Sequence, residues 1–306
     1  MDIFSLILVS IVAAATPLLF AGLGELITEK AGVLNLGVEG TMLMGAVVGF
    51  AVTASSGSVF FGIPAAAVAG AAMSGLFALL TLNLLANQVA TGLALTLFGV
   101  GLSSLIGQGF VGMPLSRLPQ LDIPGLSDLP VVGPLLFGQD ALVYISLLLV
   151  GVVMWFLSRT RGGLILKAVG ENPAAAHRLG HSVLKVRWLA VLFGGAMSGV
   201  GGAYLSLAYT PLWAENMTAG RGWIALALVV FATWRPGRVL LGAYLFGGVT
   251  IAQLHAQSAG IEIPSQFMSM LPYLATVLVL VLISRDATRI RLNAPASIGK
   301  VFHPGG

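Results

Sequence analysis

The residues of this sequence that could do chemistry are concentrated at positions 29–40, in the stretch EKAGVLNLGVEG. The chain is only 8% charged and 57% hydrophobic, yet four polar residues stand here within eleven positions: Glu29, Lys30, Asn35 and Glu39. On a helix, Asn35 and Glu39 would share one face because they are four positions apart. A carboxylate at the centre of a bilayer costs about 3 kcal/mol unless it faces a wet cavity or finds a partner. We therefore expect Glu39 to point inward, where it either borders a water-filled cavity or accepts hydrogen bonds that pin a broken helix.

Several kinds of catalytic chemistry are excluded by residues that the chain lacks. Cysteine is absent, which removes disulfides, thiolate metal sites and thiol nucleophiles, and the four histidines show no zinc-ligand spacing. A phosphate-binding loop is also missing, because the nearest approach, from Ile298 to Phe302, lacks the upstream glycine and the serine or threonine. We predict that the chain is not an enzyme, has no catalytic residues, and binds no metal and no cofactor itself.

The elements that must position these residues are membrane spans. Mean hydropathy is +0.98 over the 306 residues, and apolar runs that could cross a bilayer recur along the chain. They predict one all-α, polytopic transmembrane domain (1–306) of about 8–10 spans, with runs at 3–24, 32–52, 59–82, 88–107, 141–157, 187–209, 222–234, 238–257 and 268–284. The first run is interpreted as a span because it has no basic leader typical of a signal peptide. The run at 222–234 is short and glycines interrupt 32–52, so broken or re-entrant helices are expected there.

The placement of lysine and arginine predicts the orientation of the spans. Basic residues concentrate in the loop 158–187, in the RPGR turn at 235–238 and in the tail beyond residue 284. These segments, and with them the C-terminus, are expected in the cytoplasm. The connection 108–140 carries one arginine against three aspartates and is expected outside. The net charge of +4 therefore reflects topology, and we expect no binding to nucleic acid.

Residues near the predicted span ends are interpreted as interfacial. Tryptophan favours the membrane–water interface, and this position is expected of Trp213, Trp223 and Trp234. The same position is expected of the charged residues that close the first span, Glu25, Glu29 and Lys30.

The loop 158–187 contains a short helix with clear start and stop signals. Asn172 is a good N-cap, Pro173 suits the first helical position, and Gly180 is placed to end the helix at C′. A helix of about seven residues is only some 10 Å long and is not stable without packing. It either lies on the membrane surface, with its basic residues toward anionic lipid, or docks into a cytoplasmic partner.

Four stretches of the chain carry a family resemblance: EKAGVLNLGVEGTMLMGA, NQVATGLALTLFGVGL, RGGLILKAVGENPAAAHRLG and GRGWIALALVVFATWRPGRVLLGAYLFGG. Together they resemble the inner-membrane permease subunits of bacterial ABC importers, in the superfamily that transports ribose and branched-chain amino acids. The similarity covers about residues 20–285. The run Asn35–Gly40 most resembles the simple-sugar and purine-nucleoside branch, whereas Thr96 departs from the asparagine that relatives often have.

The resemblance implies an ATP-driven importer in which this chain forms half of the translocation path for a nucleoside or a simple sugar. Implied partners are an ABC ATPase with two nucleotide-binding modules, which would hold ATP-Mg, a second related permease chain, an extracytoplasmic solute-binding protein and membrane lipid. The chain would lie in the bacterial inner (plasma) membrane. Its coupling helix, which would seat in the ATPase, comprises Glu171, Asn172, Pro173, Ala174, Ala175, Ala176, His177, Arg178, Leu179 and Gly180.

The candidate residues of the translocation path are Asn35, Glu39, Asn87, Gln88 and Thr91. The last three cluster where the third span passes into the fourth, and uncharged amides suit a neutral solute. Two structural alternatives stay open. Residues 87–91 could form an ordinary interfacial turn, and Glu39 could pin a broken helix, including one that involves the second permease.

Two other functions also stay open at this point. An importer of branched-chain amino acids would favour a helix N-terminus directed at the carboxylate of the zwitterion, which the sequence neither shows nor excludes. A stand-alone secondary transporter would need no ATPase. It is disfavoured by the capped cytoplasmic helix and by the lack of paired acidic residues deep in the spans.

Overall fold

A computed structural model of the protein describes residues 3–121, 132–258 and 293–303, together with isolated helical positions between 267 and 281. The described residues form eleven α-helices. A π-helical turn extends α3 through Asn83 and α9 through Tyr209, and a 3₁₀ turn extends α4 through Phe110. In chain order the helices are α1 (Ile3–Lys30), α2 (Val38–Ser56), α3 (Val59–Ala78), α4 (Gln88–Gly107), α5 (Val132–Leu136), α6 (Ala141–Arg159), α7 (Arg161–Glu171), α8 (Pro173–Arg178), α9 (Val183–Tyr204), α10 (Arg221–Phe231) and α11 (Pro236–Ser258).

Most of these helices are membrane spans by length and composition. Among the described residues seven helices, counted with their extensions, could cross a membrane: α1, α2, α3, α4, α6, α9 and α11. This confirms the predicted all-α, polytopic bundle. Helix α10, with 11 residues, is only about 16 Å long, roughly half of the hydrocarbon thickness. The predicted run at 268–284 lies largely outside the described residues.

Helix α9 is the centre of the bundle, because α1, α2 and α3 all pack along it. Glycine allows these helices to approach closely. A methyl group on Gly45 of α2 would overlap the backbone of Gly199 on α9, and one on Gly70 of α3 would overlap Gly195. Such contacts between small residues are typical of helix packing in membranes.

The basic segments of the chain meet at one end of the bundle. Lys30 Nζ donates to the backbone carbonyl of Asn293 at 2.7 Å, and its charge lies near those of Lys167 and Arg235. We call this the basic end; it comprises the end of α1, residues 159–187, Arg235–Arg238 and residues 293–303. The positive-inside rule predicts that it faces the cytoplasm.

Helix α1 ends at the basic end, but α2 does not begin there. The first residue of α2 is Val38, and Gly40 lies against Thr96, well inside α4. Residues 31–37, here called the interior loop, lead in non-helical form from the basic end into the middle of the bundle, and each is buried or half-buried. The prediction of a helix over 32–52 is therefore wrong at its start, because the apolar residues of the loop raise hydropathy without forming a helix.

Candidate functional site

The interior loop lacks the regular hydrogen bonds of a helix, so its buried backbone depends on other elements. Gln88, the first residue of α4, accepts from the Leu34 N–H at 2.8 Å. Two turns further along α4, Thr96 donates to the Leu36 carbonyl at 3.0 Å. Thr96 is the position that departs from the resembled family, and its hydroxyl serves the loop backbone. Helix α4 thus forms one wall of the loop.

Asn35 lies in the interior loop and is folded back onto it. Its Oδ1 accepts from the Gly37 N–H at 2.9 Å, while its own N–H donates to Glu25 of α1 at 3.3 Å. The expectation that Asn35 and Glu39 share a helical face is therefore wrong, because Asn35 precedes the helix. Helix α1 therefore holds the loop as well as α4 does.

Glu39, in the first turn of α2, is bonded to a distant part of the chain. Its Oε1 accepts from the Thr218 hydroxyl at 2.5 Å and from the Gly220 N–H at 2.8 Å, and its Oε2 accepts from the Gly222 N–H at 2.6 Å. Only 7% of the residue is exposed. A charge at membrane depth requires a partner, and these three hydrogen bonds provide it.

These bonds place Glu39 at the N-terminus of the half-length helix α10. The first N–H groups of a helix have no partner within the helix, and its dipole favours a negative charge at this end. A methyl group on Gly222 would overlap the backbone of Glu39, so glycine is needed for the approach. Two helix starts, those of α2 and α10, therefore meet inside the bundle around one carboxylate. This matches the structural alternative for Glu39, realised within the chain itself.

The other three candidate path residues have different surroundings. Gln88 is buried, and its Nε2 is one of the few buried side-chain atoms in the described residues that have no hydrogen-bond partner. Asn87 is exposed and caps α4, since its Oδ1 accepts from the Ala90 N–H at 3.0 Å. Thr91 is half-buried. Of this cluster only Gln88 reaches the interior loop.

Two more carboxylates are buried in α1, although an interfacial position was expected for them. Glu25 and Glu29 are each only 1% exposed. Glu29 Oε2 accepts from Nε1 of Trp234, which lies just beyond the end of α10, at 2.5 Å. Trp213 is also buried. The interpretation of Trp213 and Trp234 as interface anchors is therefore wrong, whereas Trp223 is partly exposed. Among the described residues, no three acidic or histidine side chains form a group that could hold a metal ion.

Helix α8 has the predicted start and stop. Asn172 Oδ1 accepts from the Ala175 N–H at 2.9 Å. At the other end the His181 N–H donates to the Ala176 carbonyl at 3.1 Å and the Gly180 N–H donates to the carbonyl of residue 177 at 2.9 Å, with Gly180 at φ 86°. This is a Schellman motif. Ala176 is buried, whereas Ala174, Ala175, Arg178 and Leu179 present an exposed face.

Residues 293–303, here called the C-terminal clasp, connect α8 to the interior loop. The Ser297 hydroxyl donates to the Gly170 carbonyl at 2.6 Å, and the Gly299 N–H donates to the Gly32 carbonyl at 3.2 Å. The ring of Phe302 packs edge-on against His177 of α8, with centroids 5.7 Å apart.

Arg187 of α9 lies buried under the clasp. Its guanidinium donates to the carbonyls of Ala31 (3.2 Å) and Lys300 (3.0 Å) and to the Ser297 hydroxyl (3.2 Å). One side chain therefore joins the interior loop, α9 and the clasp.

Comparison with known families identifies the family of this chain. The family model described as branched-chain amino acid transport system / permease component matches residues 7–283. This chain belongs to that permease family. The resemblance drawn from the four sequence stretches is thereby confirmed, and the permease is a transport subunit.

Curated relatives match the permease over nearly its whole length. TsgC13 of Haloferax volcanii, provisionally named as a glucose ABC transporter permease, is 46% identical over 94% of each chain. The nucleoside ABC transporter permease NupC of Lactococcus lactis is 35% identical over 90% of this chain and 92% of its own length. The guanosine ABC transporter permease NupQ of Bacillus subtilis is 31% identical over 91% and 92%. No solved structure shows a significant match.

Sequence reasoning missed most of the permease residues that hold the site together. The only signal for a structural role of Thr218, Gly220 and Gly222 was the short apolar run 222–234, which begins at the last of them. The buried pair Glu29 and Trp234 had one signal, a second carboxylate four positions after Glu25 on an apolar helix.

Proposed function

We propose that this permease forms half of the translocation path of an ATP-driven importer for a nucleoside or a simple sugar. The observation that carries the substrate class is the position of Glu39. Its carboxylate occupies the N-terminus of α10 inside the bundle, through the N–H groups of Gly220 and Gly222.

This occupancy argues against an amino acid substrate. The N-terminus of a half-helix inside a transporter is where the carboxylate of a zwitterion would bind. Here a substrate carboxylate would meet the negative charge of Glu39 instead. A neutral solute rich in hydroxyl groups needs no such position, and it is suited by an uncharged amide such as that of Gln88, whose Nε2 has no partner among the described residues beside the interior loop.

The similarities support the same choice. Glucose and nucleoside carriers both handle a sugar ring, and the relatives named above are permeases for these solutes. The description of the family names branched-chain amino acids, which keeps such an importer as the alternative substrate class.

The expected partners follow from the importer proposal. An ABC ATPase with two nucleotide-binding modules would hold ATP-Mg, a second related permease would complete the path, and an extracytoplasmic binding protein would deliver the solute. No cofactor is needed on this chain. The basic end would face the cytoplasm of a bacterium, and the exposed face of α8 would enter the ATPase as the coupling helix. Asn35, Glu39, Gln88, Asn87 and Thr91 remain the proposed path residues, with Gln88 best placed.

Two measurements test this proposal. Purification in mild detergent from the native membrane, followed by mass spectrometry, should recover an ATPase with two nucleotide modules and a related permease. Uptake by the assembled transporter, assayed with labelled guanosine, glucose and leucine, should show ATP-dependent transport of a nucleoside or sugar and none of leucine. Transport of leucine alone would contradict the substrate class. Uptake by the chain alone in ATP-free liposomes, driven by an ion gradient, would contradict the importer.

A further inference from the structure

An apolar groove of about 500 Å³ lies near the basic end, and none of its lining residues belongs to the interior loop. Its two walls are α6, with Val152 and Phe156, and α9, with Leu189 and Phe193. Ile27 of α1 lines it as well. The volume is within the range of about 300–1,000 Å³ that is usual for pockets that bind small molecules.

The groove is closed by α7 on the side of the basic end and faces outward elsewhere. Ile165 and Leu166 of α7 line it, and α7 begins directly after α6. Three of its lining residues are largely exposed: Val152 at 46%, Trp155 at 60% and Leu189 at 59%. Because these residues belong to helices that could cross a membrane, we expect the groove to open toward the hydrocarbon of the bilayer.

Cations flank the end of the groove that α7 closes. Arg159 is one turn beyond Trp155 on α6, Arg161 precedes the lining residue Gly162 at the start of α7, and Lys185 is one turn before Leu189 on α9. All three cations are exposed, and none of the residues that line the groove is acidic. The apolar groove thus ends at three positive charges, where we expect the spans to emerge from the membrane.

We propose that this groove is a binding site for an anionic phospholipid. One acyl chain lies in the groove between α6 and α9, and the phosphate-bearing headgroup binds to Arg159, Arg161 and Lys185. The occupant is a lipid because the walls belong to membrane spans and are apolar to the rim. It is an anionic one because Lys and Arg clusters at the membrane surface attract acidic lipids.

A bound lipid would act on the junction between α6 and α7. Thr160 forms this junction, and its hydroxyl accepts from the Gly163 N–H at 3.0 Å to cap α7. Since α7 leads into α8, the lipid would brace the segment that carries the coupling helix. This consequence, unlike the lipid site itself, rests on the proposed function.

Fluorescence quenching of Trp155 by brominated lipid tests the site. The full-length chain is placed in nanodiscs of phosphatidylethanolamine with 10 mol% phosphatidylglycerol, and one of the two lipids carries bromine on its acyl chains. The chain has five tryptophans, so the difference between the native chain and Trp155→Phe isolates the signal of Trp155. Per mole of brominated lipid, we expect phosphatidylglycerol to quench Trp155 at least threefold more strongly than phosphatidylethanolamine.

Charge variants provide the matched comparison. Replacing Arg159, Arg161 and Lys185 together with Gln should make the two lipids equally effective. Lys300→Gln removes an exposed cation at the same end and should leave the preference unchanged. Equal quenching of Trp155 by the two lipids would overturn the proposal, and this outcome does not depend on the folding of the charge variants. Absence of quenching by either lipid would also overturn it, because another protein segment or a second chain would then cover the groove. Loss of ATP-driven uptake with quenching intact would concern the proposed function and not this site.

Discussion

Glu39 shows how a single side chain can complete a helix that begins inside the membrane. The N–H groups at the start of α10 have no partner within the helix, and one carboxylate accepts two of them together with a hydroxyl. Its charge also lies at the favourable end of the helix dipole. The residue is therefore structural in the first place, whatever further contact it makes with a solute.

Glu39→Gln should lower the free energy of unfolding by about 2 kcal/mol, since the new amide nitrogen would face an N–H group instead of accepting from it. Thermal unfolding of the purified permease in detergent measures this effect. Glu215→Gln is the matched control, because Glu215 is exposed and the same change should leave stability within about 0.5 kcal/mol. Equal stability of the two variants would contradict the hydrogen-bond account. Uptake per folded transporter by Glu39→Gln tests whether Glu39 also lines the translocation path. Normal uptake would show that its role is structural only.

Gln88 and its neighbour Asn87 offer a second paired comparison at the residue scale. Gln88→Leu leaves the N–H of half-buried Leu34 without its acceptor and removes a free donor beside the interior loop. We expect the maximal uptake rate per folded transporter to fall about fivefold, which corresponds to about 1 kcal/mol. Asn87→Ala removes the cap of α4, at a cost of about 1 kcal/mol in stability, together with an exposed amide that does not reach the interior loop. Similar uptake by both variants would argue against a role of Gln88 in transport.

Among the elements, α8 is the most predictable from sequence, because the residues that start and end it are all local. Its cap, its proline and its terminal glycine all lie within ten residues, so the sequence alone predicts the helix. The long-range elements behave differently. The interior loop has the apolar residues of a span, and two of its hydrogen bonds join it to Gln88 and Thr96, 54 and 60 positions away. Trp234 meets Glu29 across 205 positions. No local pattern contains such partners, which is why the start of α2 and the two buried tryptophans were misjudged.

The exposed face of α8 provides a test of coupling. Ala175→Glu places a charge on that face without touching the packing of Ala176, and it should abolish ATP-driven uptake while membrane insertion and pairing with the second permease stay normal. Uptake in proteoliposomes and co-purification measure the two properties. Ala176→Glu is the contrasting variant, because burial of its charge should disrupt the helix itself. Normal uptake by Ala175→Glu would contradict the role of α8 in coupling.

The role of Arg187 in holding the C-terminal clasp can be tested separately. Arg187→Met keeps the apolar stem of the side chain but removes its hydrogen bonds to Ala31, Ser297 and Lys300. This should lower the free energy of unfolding by about 2 kcal/mol or more. We expect residues 293–303 to become sensitive to limited proteolysis in the folded permease. Lys185→Gln, two positions earlier and exposed, is the control and should keep the native cleavage pattern. Cleavage of neither variant would show that the clasp is held by other contacts.

At the scale of the whole molecule, the folded chain gathers its basic segments at one end, and this arrangement predicts its orientation. The absence of cysteine allows single cysteines to report it without further changes. Ala296→Cys is exposed at the basic end, outside the face of α8 that is proposed to enter the ATPase, whereas Ser55→Cys is exposed near the end of α2. In intact cells an impermeant thiol reagent should label Ser55→Cys only, and after permeabilisation it should label both. The reverse pattern would place the basic end outside.

The pairing of Glu39 also constrains how the protein is made. Its partners Thr218, Gly220 and Gly222 follow it by 179 to 183 residues. At a synthesis rate of about 5–20 residues per second, the carboxylate waits roughly 9–36 seconds before these groups leave the ribosome. During that time α2 carries an unpaired acid into the insertion machinery. We therefore expect the packing of α2 to be completed only when α10 arrives, and a chain that stops before residue 218 should be a target for membrane proteases.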